Sequence, residues 1–172
     1  LALLLALAGG TVVYTKFMTE HQKARIEAFL HPGEDPRGKG YHLLQSRITV
    51  GSGQFFGKGY RKGIHSKLLY LPDRHTDFIF PVLAEEWGFF GSTVVLGLYL
   101  ALLTFGIQIA LKAKERFGVF LALGVTILLF WQIVINLGGV LGLIPLTGVT
   151  LPLLSYGGSS MVTVLLGVGL LM

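Results

Sequence analysis

The stretch Trp87-Gly-Phe-Phe-Gly-Ser-Thr-Val-Val-Leu-Gly-Leu-Tyr-Leu-Ala-Leu-Leu-Thr-Phe-Gly-Ile-Gln-Ile-Ala-Leu111 runs for 25 residues without a charge. A helix rises about 1.5 Å per residue and the hydrocarbon of a bilayer is about 30 Å thick, so about 20 apolar residues make a crossing. The stretch is long enough for one complete transmembrane helix. Its surroundings agree: residues 117–172 contain no Asp, Glu, Lys, Arg or His, a run that a water-soluble protein could scarcely carry. Of the 172 residues, 52% are hydrophobic and 13% charged, well under the roughly 25% charged residues of an average soluble domain.

Outward from that helix the chain divides by hydropathy. Residues 1–15 are an apolar helix too short for a full crossing, 16–86 a large hydrophilic loop, and 87–111 the helix just described. Residues 112–116 form a short basic turn, 117–140 a further span, 141–157 an irregular loop, and 158–172 a last helix that stops short. The chain has no initiator Met, opens inside one apolar run and stops inside another, so the expectation is a piece of a longer protein. No basic residues precede Leu1–Ala8, which favours a truncated span over a signal peptide. Between the third and last helices, Gly142 to Ser160 is apolar yet interrupted by Pro145, Pro152 and paired glycines. Irregular backbone in hydrocarbon leaves peptide groups unpaired at several kcal/mol each, so this segment must pack on protein or line a wet cavity. The fold class expected is an all-α polytopic membrane protein, a helical bundle with one large loop and a re-entrant-like Pro/Gly segment.

Chemistry has one place to happen. Residues 16–77 hold eleven of the fourteen Lys and Arg and all five His. There is no Cys, so no disulfide or thiolate metal site is proposed. A count of basic residues, eleven in the large loop against three in Lys112–Arg116, would put that loop in the cytoplasm. Loops of about this length escape the positive-inside rule, so charge alone does not orient the chain. Late in the loop, Gly51 to Lys67 intersperses five glycines with Lys58, Arg61, Lys62 and Lys67. Glycine lets backbone amides converge on an anion and the cations add charge. The spacing matches neither the P-loop nor the dinucleotide fingerprint, and a solvated basic loop near anionic lipid headgroups explains these residues equally well.

Next comes Leu71-Pro-Asp-Arg-His-Thr-Asp-Phe-Ile-Phe-Pro-Val-Leu-Ala-Glu-Glu-Trp-Gly88. From spacing alone, Asp77 reads first as a helix N-cap, a role worth about 1 kcal/mol, and second as a catalytic carboxylate. Glu85 and Glu86 stand at the edge of the apolar span. On a helix continuous from Asp77, Glu85 lies about 80° round and about 12 Å along, and Glu86 points to the opposite side. One or both could instead sit in the aqueous interface.

These residues resemble a known family. Leu71-Pro72, His75-Thr-Asp-Phe-Ile-Phe80, Glu85-Glu-Trp-Gly88 and Gly91 resemble the large extracytoplasmic loop of the SEDS family (RodA/FtsW/SpoVE). Downstream, Asn136, Gly142-Leu-Ile-Pro145, Thr147-Gly148, Pro152-Leu153 and Ser155-Tyr-Gly-Gly-Ser-Ser160 resemble that family's C-terminal signature, in order and at fitting separations. Arg74-His75 and the ending from Gly167 to Met172 look more like the rod-shape (RodA) branch. Ile64-His65 departs from the usual Thr-Gln before Ser66, and Asp73 stands where Glu is commoner.

The resemblance implies a multi-pass protein of the bacterial cytoplasmic membrane, with the large loop extracytoplasmic and Lys112–Arg116 inside. It implies a peptidoglycan glycosyltransferase that polymerises lipid II into β-1,4-linked strands for elongation and cell shape, with Asp77 essential. The implied partners are lipid II, the growing strand on polyprenyl pyrophosphate, membrane lipids and a class B penicillin-binding protein; no nucleic acid is expected. As a mechanism, Asp77 takes the proton of the attacking sugar hydroxyl. Arg61, Lys62, Lys67 and Arg74, or a divalent cation such as Mg or Mn, neutralise the leaving pyrophosphate, although the sequence requires no cofactor. His75, Thr76, Glu85, Glu86, Ser155 and Tyr156 complete the candidate substrate-binding set. The rivals are a lipid II flippase, which the Pro145–Ser160 segment would suit but for its lack of charged groups at mid-membrane, and a non-catalytic scaffold that docks partners through Gly138 and Gly142.

Overall fold

A computed structural model describes residues 19–31, 39–60, 62–63 and 76–171. Over these residues the chain is helical, with α1 at Glu20–Leu30, α2 at Lys39–Ser52, α3 at Ile79–Lys112, α4 at Arg116–Leu141 and α5 at Gly158–Leu170. The first expected span, 1–15, lies outside the described residues. Helices α3 and α4 are apolar enough and long enough to cross a bilayer, and most of their surface is not covered by the rest of the chain, as membrane helices allow. The protein is an all-α membrane protein.

The two long helices form an antiparallel pair joined by the turn at Ala113–Glu115. At Gly106 a side chain would collide with Thr126, so the two backbones approach closely there. Toward the other end Phe78, Phe80, Tyr99, Ile133, Val140 and Leu151 form the apolar core. Helix α3 begins at Ile79, eight residues before the expected start at Trp87. The physical reason is that Phe80, Pro81 and Ala84 bury themselves on the core, so the outer turns are held by packing although Glu85 and Glu86 lower their hydropathy.

Inside α3 the helix is broken at Gly88, whose φ of 68° and ψ of −161° are not helical. An uninterrupted helix would bond Phe89 N–H to the Glu85 carbonyl and Phe90 N–H to that of Glu86. The loop after α2 takes over all four groups. Lys58 and Gly59 donate N–H to the carbonyls of Glu85 and Glu86, each at 3.0 Å, while Phe89 and Phe90 donate to the carbonyls of Gln54 (2.8 Å) and Phe55 (3.1 Å). Gly57 and Gly88 face one another at this stitch with φ of 76° and 68°, and a side chain on either would run into the other's backbone. Beyond the break, the residues to Lys112 rise about 36 Å, enough to cross the hydrocarbon. Exposed Phe55, Phe56, Tyr60, Trp87, Phe89 and Phe90 gather around the stitch, the arrangement of an aromatic belt at a membrane surface.

Two helices within the expected large loop, α1 and α2, were not signalled by periodicity. Helix α2 docks on the C-terminal end of α4, whose last carbonyls lack helical partners. Ser46 Oγ donates to the Val140 carbonyl at 2.7 Å, and Arg47 donates to the carbonyls of Leu141 and Gly142. The cation also faces the negative end of the α4 dipole. The chain then leaves α4 through Gly142 and runs without regular structure to Gly157. Leu151 and Pro152 are buried on the core, and Tyr99 Oη donates to the Pro152 carbonyl. This Pro/Gly segment thus packs on protein, as its unpaired backbone requires.

Candidate active site

Asp77 lies in the turn that opens α3, one residue before Phe78 at the N-cap. Phe78 supplies no side-chain cap, so the capping position expected for Asp77 belongs to its neighbour. The N-terminal end of α3 places the positive end of the helix dipole beside the carboxylate. Thr76 and Asp77 are half-buried.

The Pro/Gly segment comes to the same spot. Asn136, buried in α4, donates from Nδ2 to the Asp77 carbonyl at 3.1 Å and to the Val149 carbonyl at 2.6 Å. Gly148, with φ of 75°, passes so near that a side chain there would stand 3.4 Å from Asp77 Oδ2. The two sequence motifs, separated by 59 residues between Asp77 and Asn136, therefore meet around one carboxylate.

Glu85 has no exposed surface, which overturns the expectation that it could sit in the aqueous interface. Its Oε1 accepts from Lys58 Nζ at 2.8 Å and lies 3.4 Å from Ser52 Oγ, while Lys58 Nζ also reaches Ser52 Oγ at 2.9 Å. A buried carboxylate in an apolar helix needs a paired, hydrogen-bonded cation. Lys58 meets that need, and Glu85 is thereby drawn into the stitch. Glu86 is half-buried and joins the stitch through its backbone carbonyl.

The other candidates separate. Lys62 is exposed, and Arg61, Lys67, Arg74 and His75 lie outside the described residues. Ser155 Oγ accepts the Leu151 N–H at 2.7 Å, closing the turn before α5; Tyr156 is 81% exposed and so available to a ligand. Sequence reasoning read Lys58 only as one cation of a glycine-rich basic loop and did not foresee its pairing with Glu85, nor the bonds of Asn136. The signal for Lys58 was present, since carboxylates at the edge of a span call for a cation and Lys58 sits between two glycines. Asn136 offered only its place in a motif.

The family model described as "Cell cycle protein", covering FtsW, RodA and SpoVE, matches residues 1–172. "Peptidoglycan glycosyltransferase MrdB" of Escherichia coli (strain K12) is 43% identical over 171 residues, 99% of this chain and 46% of the relative. "Stage V sporulation protein E" of Bacillus subtilis (strain 168) is 49% identical over 148 residues, 86% of this chain and 40% of the relative. A solved structure described as "Structural coordination of polymerization and crosslinking by a peptidoglycan synthase complex" aligns with a TM-score of 0.75 at 36% identity, over 99% of this chain and 46% of its own. The chain thus spans a little under half the length of these relatives.

Proposed function

The chain belongs to the FtsW, RodA and SpoVE family of cell cycle proteins, and from that premise we propose that it is the Asp77-bearing part of a peptidoglycan glycosyltransferase that polymerises lipid II. The observation that carries this reading is the meeting of the two motifs at Asp77, where Asn136 and Gly148 close around the residue. The relatives named as peptidoglycan glycosyltransferases support the reaction class. Arg74-His75 and the ending from Gly167 support the rod-shape branch and hence a role in elongation.

In the proposed reaction a sugar hydroxyl of the incoming lipid II attacks the anomeric carbon of the growing strand. The new C–O bond forms as the bond to polyprenyl pyrophosphate breaks, the pyrophosphate leaves with the electron pair, and Asp77 takes the hydroxyl proton. Attack from behind an α-linked donor gives the β product. Pyrophosphate is a good leaving group, so it needs neutralising charge more than an acid, and Arg61, Lys62, Lys67 and Arg74 are the cations proposed for it. Among the described residues no three of His, Asp and Glu converge, and Glu85 is engaged by Lys58.

The large loop is proposed to lie outside the cytoplasmic membrane, with a class B penicillin-binding protein as partner; alignment with a structure described as a peptidoglycan synthase complex supports a partner of this kind. The test is polymerisation of lipid II by the full-length protein and its Asp77→Asn variant in detergent. The variant is expected to lose at least about 100-fold in rate, the lower end of what a general base contributes. A folded variant with normal polymerisation refutes the reading and favours transport or scaffolding.

A further inference from the structure

Asn136 stands where three segments cross. It comes from α4, its side chain ends between the turn that opens α3 and the Pro/Gly segment, and it is only 4% exposed. Its single amide nitrogen carries two N–H groups, and both are committed, one to the Asp77 carbonyl and one to the Val149 carbonyl. Its Oδ1 is buried and has no hydrogen-bond partner among the described residues. That asymmetry fixes the amide's orientation, because the flipped rotamer would set its oxygen against two carbonyl oxygens. An apolar residue of similar shape would fill the space but leave both carbonyls unpaired.

We propose that Asn136 is a positioning residue for Asp77, holding the backbone of that residue and the edge of the Pro/Gly segment at a fixed separation so that the carboxylate meets the sugar hydroxyl in line. The inference rests on the reading of Asp77 as proton acceptor. Asn136 itself touches no reacting atom: its bond is to the main chain of Asp77 and not to the carboxylate. Misplacing a reacting group by about 1 Å can cost about 100-fold in rate while substrate binding survives, so the predicted signature is a split between kcat and KM.

The experiment uses the full-length protein in detergent with lipid II as substrate, and compares Asn136→Leu, similar in shape but without donors, with Asn136→Gln, which keeps both N–H groups on one more methylene. Asn136→Leu is expected to lower kcat about 100-fold with KM within about twofold, and Asn136→Gln to recover about tenfold of that loss. A leucine variant within about threefold of wild-type kcat, or a rise in KM that accounts for the lost kcat/KM, overturns the inference. Where the leucine variant does not fold, the glutamine variant decides: a lower kcat at unchanged KM carries the inference, and a wild-type kcat or an altered KM overturns it. Asp77→Asn is assayed in parallel. An inactive Asp77→Asn beside a normal Asn136→Leu removes only the positioning role, whereas an active Asp77→Asn removes the underlying reading and this inference with it.

Discussion

Asp77 and Glu85 are carboxylates eight residues apart on one stretch of chain, yet their surroundings assign them different work. Asp77 is half-buried at the mouth of α3, and its main chain is held by Asn136. Glu85 is sealed and paired with Lys58, which makes it a structural ion of the stitch. Removing one partner of such a pair strands the other charge. Lys58→Met is expected to destabilise the protein by about 2–4 kcal/mol, discounted because the Lys58 side chain is 27% exposed. Adding Glu85→Gln to Lys58→Met should return part of that loss, since no buried charge then lacks its counterpart. Thermal unfolding of the two singles and the double in one detergent checks this, and losses that simply add would mean the pair is not coupled. At this scale the sequence was legible in part. Asp77, Glu85 and Asn136 all stood out in motifs, but a motif orders residues along the chain and does not show that Asn136 reaches back across 59 residues to the Asp77 carbonyl.

Among the elements, hydropathy alone made α3 and α4 legible, because 25 uncharged residues admit no other home than a bilayer. Two features escaped it. Helix α2 carries glycines near both ends and little amphipathic pattern; it is held by Ser46 and Arg47 on the end of α4, a tertiary dependence that no local periodicity encodes. The break at Gly88 escaped for the opposite reason. Glycine is common in membrane helices, so one more within an apolar run, beside Gly91, Gly97 and Gly106, gave no signal of its own. Only the loop that crosses it shows which glycine is the exception. Gly88→Ala would force a side chain into the backbone of Phe55 and Gly57 at a φ of 68° that L-residues rarely adopt. We expect a loss of about 2–4 kcal/mol in stability and faster proteolytic cutting between Gly53 and Gly63 than in Gly97→Ala, where a side chain meets only open space. Equal cutting of the two variants would show that the loop does not depend on the stitch.

For the molecule as a whole, the side of the membrane on which the loop lies is the statement most open to direct measurement. The chain has no cysteine, so within these 172 residues each introduced thiol reports alone. Tyr60→Cys, exposed on the loop, is expected to react with a membrane-impermeant maleimide in intact spheroplasts, and Lys114→Cys, in the turn between α3 and α4, only after the membrane is opened. The reverse pattern would invert the proposed orientation and remove the loop from its extracytoplasmic substrate. The stitch at Gly88 bears on how any such loop can move. A flap hinged on free chain could swing while the body beneath it stayed still. Here residues 54–59 are hydrogen-bonded to the opened turn of α3, so the flap cannot lift without breaking those bonds or dragging the turns that follow Asp77. Whatever pushes on that surface pushes on the carboxylate as well.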